Sequence, residues 1–119
     1  MKSLLKNDKT GGPSVIDLAK KLAEISYYQT EQPDGRFWAE SSAKAARIVG
    51  WIKHPPQSPV MLRTAAQDAD ELLGICEAVI TRKAWLSDEG RDWWEMQART
   101  VRILKRDWSA RGRKAVIAA

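Results

Sequence analysis

Between Leu62 and Ile80 the apolar residues fall at Leu62, Ala66, Ala69, Leu73, Cys76 and Ile80, spaced alternately by four and three. That alternation holds one stripe of a helix toward a neighbour, as in a coiled coil. A strand cannot carry this pattern, because its faces alternate every second residue. The stripe therefore demands at least one partner helix. Ala66 and Ala69 are small enough to let that partner come close. Leu72, Ile75 and Val79 widen the apolar surface to a second side, so the helix is expected to touch two neighbours. Ser58 suits its N-cap and Pro59 its first position.

Three further segments carry helical periodicity. The first begins after Ser14, with Asp17 three residues on as a capping-box variant. Val15, Leu18, Ala19, Leu22, Ser26 and Gln29 form its face, Ile25 lies at the edge, and it fades near Thr30. The turn residues Pro33-Asp34-Gly35 follow. The second spans about Arg36 to Lys53, with Trp38, Ala45, Ile48, Val49 and Ile52 on one stripe, and His54-Pro55-Pro56 ends it. The last is capped by Ser87-Asp88-Glu89, carries Trp94, Ala98, Val101, Leu104 and Trp108 on its inner stripe, and is expected to weaken or end at Gly112.

No segment shows strand alternation or a hairpin signal. These patterns predict an all-α fold, an antiparallel four-helix bundle over residues 14–119, preceded by a short flexible N-terminal tail at 1–13. Its expected core holds Trp38, Trp94 and Trp108 with Leu62, Leu73, Ile80, Val101 and Leu104. At 119 residues the chain is one domain and can bury a core without disulfides or metal.

Cys76 is the single cysteine. It excludes an intrachain disulfide and a cysteine-built zinc cluster, and on the apolar seam it reads as a small buried hydrophobe. No run of about 18 apolar residues exists to span a membrane, and the N-terminus lacks the apolar segment of a secretory signal. A cytoplasmic location is expected. No Gly-rich phosphate loop or metal-ligand spacing occurs, so no cofactor or metal is expected.

Charge is the most uneven property. Residues 99–114 hold Arg99, Arg102, Lys105, Arg106, Arg111, Arg113 and Lys114 against Asp107 alone, seven cations less one acid. The whole chain is +5, so the remainder is close to neutral. On a helical wheel Arg99, Arg102, Arg106 and Arg113 fall within roughly 60°. Arginine binds phosphate or carboxylate through a planar two-pronged fork, so such a stripe suits an anionic partner. The competing expectation is internal pairing. Glu95 lies four residues before Arg99, and Asp70 and Glu77 share the side of their helix that could meet these cations.

Two other surfaces stand out. Trp51 shares the polar side of the second helix with Lys44 and Arg47, and Phe37 lies at its edge, a set suited to anchoring a partner, unless Trp51 packs under the N-terminal tail or the Pro55-Pro56 loop. Met96 and Ile103 lie nearly opposite the inner stripe of the last helix, which suggests a second contact, either a homodimer or a fifth packed segment from one of the termini.

Two local resemblances complete the reading. Arg47 and His54 are spaced Arg-x6-His, which resembles the loose Arg-x4–6-His pattern of HEPN ribonucleases, helical bundles that work as dimers. Asp70 to Arg82, with Leu73-Gly74-Ile75-Cys76 at its centre, is similar to the turn of helix-turn-helix motifs, although Asp70 and Cys76 depart from the small residue and hydroxyl usual there. The expected function is that of a small non-enzymatic binding protein contacting nucleic acid, or a nucleic-acid-handling complex, through Arg99, Arg102, Arg106 and Arg113. The alternative is a protein-binding adaptor or inhibitor of the phage or plasmid accessory type, meeting an acidic protein surface through Trp51, Phe37, Lys44, Arg47, Met96 and Ile103. A dimeric HEPN-like ribonuclease is the remote third.

Overall fold

The computed structural model describes residues 12–82 and 90–118, with side chains described for 15–82 and 90–115. The tail expected over 1–13 and the cap expected at Ser87-Asp88-Glu89 lie largely or wholly outside these residues. Four helices are present: α1 (Gly12–Tyr28), α2 (Gly35–Lys53), α3 (Pro59–Arg82) and α4 (Arg91–Ala118). Among the described residues there is no strand. Each helix packs against its neighbours in sequence, and α1 closes the ring onto α4. The result is a four-helix bundle. No helix is long and apolar enough to cross a membrane.

The helices begin and end for local reasons. α3 starts as its sequence predicts: the Ser58 Oγ accepts the Met61 N–H at 3.1 Å, satisfying a backbone donor that the first turn would leave unpaired. α1 begins at Gly12, so Ser14 lies inside the helix and is not its N-cap. α2 ends where His54 donates its backbone N–H to Gly50 O at 2.9 Å, ahead of the two prolines. Gly35 opens α2 pressed against the end of α1. A Cβ there would lie 2.6 Å from Gln29 O and 2.7 Å from Thr30 O, so only glycine allows this approach.

The core combines Val15, Leu18, Leu22 and Ile25 of α1 with Trp38, Ala45 and Ile48 of α2 and with the inner stripes of α3 and α4. Ile25 is therefore interior, not marginal. Trp38, Trp94 and Trp108 are buried, as are Leu62, Leu73, Val101 and Leu104, while Ile80 is half-buried. On α3 the deepest apolar residues are Leu62, Ala65, Ala69, Leu72, Cys76 and Val79. Ala66 and Ile80, on the predicted seam, sit at its margin. The shift has a physical cause. α3 packs against both α2 and α4, and α2 reaches the flank that carries Asp68 through Trp51 and Arg47. Burial holds Cys76 as a neutral thiol, its pKa pushed up to about 12.

One resemblance is resolved here and one expectation corrected. α3 runs unbroken through Gly74, so the segment resembling a helix-turn-helix is one straight helix. α4 continues past Gly112 to Ala118. A Cβ at position 112 would meet only Leu62 Cβ, at 3.5 Å, an ordinary contact. Gly112→Ala is therefore expected to stabilise the protein by up to about 1 kcal/mol through helix propensity, read as a higher melting temperature. A fall in melting temperature would show that the packing against Leu62 is tighter than that distance implies.

Candidate functional site

Arg99, Arg106 and Arg113 lie seven residues apart on α4, about 10.5 Å per step. All three are exposed and, among the described residues, none has an ion-pair partner. Glu95, expected beside Arg99, instead pairs with Arg91 at 2.9 Å. Arg102 differs from the other three. It meets Glu77 of α3 at 3.3 Å, while Lys105 meets Asp70 at 2.7 Å. Asp70 and Glu77 do reach cations on α4, as their spacing implied. Both pairs are largely exposed, so each contributes little to stability, and Arg102 remains recruitable by a stronger anion.

Met96 and Ile103 are 46% and 44% exposed, one heptad apart beside Arg99 and Arg106. The outer face of α4 thus joins a cationic row to a shorter apolar one. The sequence placed both on one side of one helix. It did not show that three of the four arginines are free of the bundle's own acids.

The second predicted surface is different in kind. Trp51 is half-buried, and its Nε1 donates to Asp68 Oδ2 at 2.8 Å. The Arg47 guanidinium meets the other Asp68 oxygen at 2.7 Å. Lys44 pairs with Glu71 at 2.9 Å, and Gln67 donates to the same carboxylate at 3.2 Å. The bond from Lys44, then that from Gln67, holds the Glu71 pKa below its usual value. Trp51, Lys44 and Arg47 therefore tie α2 to α3. Phe37 is half-buried, edge-on to Trp38 at 5.0 Å, with the Arg82 guanidinium 5.9 Å from its ring centre. Asp68 is the hub that sequence reasoning missed, since it read as one of several scattered acids on α3.

His54 is the exposed C-cap residue of α2, and the Arg47 guanidinium, seven residues before it, pairs with Asp68. Among the described residues no three His, Cys, Asp or Glu side chains gather to hold a metal ion. No protein-family model matches the chain, and no characterised protein or solved structure matches it significantly.

Proposed function

We propose that this protein is a non-catalytic binding module that engages nucleic acid through the outer face of α4. The observation that carries this reading is the row of Arg99, Arg106 and Arg113, exposed and without acidic partners among the described residues, on a chain of net charge +5. The row offers three forked donors along about 21 Å. Contacts of this kind neutralise phosphates and fix position without reading base sequence. Arg102 adds a fourth contact when it leaves Glu77.

Binding to a random-sequence DNA or RNA duplex is the test. On B-DNA three neutralised phosphates predict a slope of log affinity against log salt of about −2.7, and about −3.6 where Arg102 joins them. Each Arg→Gln change in the row is expected to remove about 0.9 from that slope. Fluorescence anisotropy across a salt series measures both. Absence of binding at low salt, or a slope indifferent to all three substitutions, overturns the reading.

Met96 and Ile103 favour a second reading, an acidic amphipathic protein segment laid along α4 with its apolar side on these two residues. A homodimer through the same face would bring two arginine rows together, so an acidic partner suits it better. Met96→Ser with Ile103→Ser separates the readings. Duplex affinity unchanged in this variant supports phosphate recognition, whereas partner retention lost with duplex binding already absent supports the protein segment.

A further inference from the structure

The ladder of charges between α3 and α4 breaks at one end of the bundle. Glu77 meets Arg102 and Asp70 meets Lys105. One heptad further along α3 the corresponding residue is Arg63, and the α4 residues facing it include Arg113. Two cations stand where the register calls for an acid and a cation. Neither has an ion-pair partner among the described residues. The nearest acids toward α2, Asp68 and Glu71, are already held by Arg47 and Lys44. Like charges set across an interface oppose packing, so bundle stability alone does not account for the pair.

Between the two arginines lies an open groove of about 440 Å³, lined also by Pro59, Ala66, Trp108 and Gly112. Its volume falls in the range of about 300 to 1,000 Å³ typical of small-molecule sites. Its floor is apolar and its rim cationic. Pro59 is the first residue of α3, so the positive end of that helix adds to the potential there. Gly112 keeps the floor open at a position where alanine fits and would strengthen the helix.

We infer that this groove binds an amphiphilic organic anion, a ligand with one carboxylate or sulfonate head and a compact apolar body. The head sits between the Arg63 and Arg113 guanidinium groups, and the body lies over Pro59, Ala66 and Gly112. Charge complementarity selects this occupant over the chain's own N-terminal residues, since Lys2, Lys6 and Lys9 outnumber Asp8 in that segment. The groove shares Arg113 with the row assigned to nucleic acid, but Arg63 and the apolar floor lie outside that row, so the inference stands whether or not nucleic acid binds.

The probe is 8-anilinonaphthalene-1-sulfonate, whose fluorescence rises in apolar surroundings, titrated into the full chain. Saturable one-site enhancement is expected, displaced by decanoate and not by the same concentration of inorganic phosphate. Arg63→Gln with Arg113→Gln is expected to weaken it roughly tenfold or more, because two charge-assisted bonds are lost. Both side chains are exposed, so the double variant is expected to keep its helical circular dichroism. Gly112→Leu fills the floor and is expected to abolish binding, while Arg99→Gln leaves it unchanged. Enhancement that does not saturate, that persists in the double arginine variant, or that phosphate displaces as well as decanoate does, overturns the inference.

Discussion

Trp38→Ala is expected to destabilise the protein by about 3–5 kcal/mol, the range for deleting a buried tryptophan. Trp38 is 1% exposed, and its ring joins α2 to the interior of the bundle. Placement at the upper end of that range follows from Gly35. The start of α2 already touches the Gln29 and Thr30 carbonyls, so the helix cannot slide inward to close the void. The polar end of the ring matters less. Trp38 Nε1 donates to Asp34 Oδ2 at 2.9 Å, but Asp34 is exposed and water replaces the bond when the indole is lost. Trp38→Phe keeps most of the apolar burial and is expected to cost about 1–2 kcal/mol. Urea unfolding of the three proteins measures the difference through the midpoint at constant slope. Domains of this kind hold about 5–15 kcal/mol in total, so a loss of about 5 kcal/mol removes a third or more of the stability and should lower the urea midpoint by a similar fraction. Equal losses in the two variants would mean that the bond to Asp34 carries the stability and the burial does not.

Helix number, helix order and most of the core are legible in the sequence, because periodicity encodes which side of each helix is apolar. Trp94, Val101, Leu104 and Trp108 recur at helical spacing and are interior. Periodicity does not encode how far each neighbour wraps around a helix. α3 shows the consequence. Its 4–3 seam runs through Ala66, Leu73 and Ile80, while Ala65, Leu72 and Val79 are buried more deeply, on the side where Asp68 meets α2. The same blind spot hides Asp68, whose polar character places it outside any apolar stripe although α2 covers it. Charge partners are hidden for a related reason. Arg99 and Arg102 look alike in the sequence, and only the closeness of Glu77 separates a paired guanidinium from a free one. The groove beside Arg63 is illegible because it needs two helices in register, and neither carries the signal alone.

Asp68→Ala is expected to cost about 2 kcal/mol, and the reason distinguishes a tie between helices from an exposed anchor. The Asp68 side chain is only 4% exposed and accepts from Trp51 Nε1 on one oxygen and from Arg47 on the other. Hydrogen bonds to charged groups contribute about 1.5–3 kcal/mol, and the cost of desolvating the carboxylate offsets part of what these two provide. Arg47 is 56% exposed, so water takes over its guanidinium when the partner is removed. The indole N–H of Trp51 is half-buried and loses its acceptor. Asp68→Asn, which keeps an acceptor for Trp51 but no charge for Arg47, is therefore expected to cost about half as much. A double-mutant cycle of Asp68→Ala with Trp51→Phe isolates the bond, with an expected coupling of about 1–2 kcal/mol. Simple additivity of the two losses would release Trp51 from the helix tie and return it to the surface as a candidate anchor. With the coupling present, Trp51→Phe should lower the urea midpoint and leave the salt slope of duplex binding unchanged. The two surfaces then separate, Trp51 and Asp68 holding α2 to α3 while the arginines of α4 face outward.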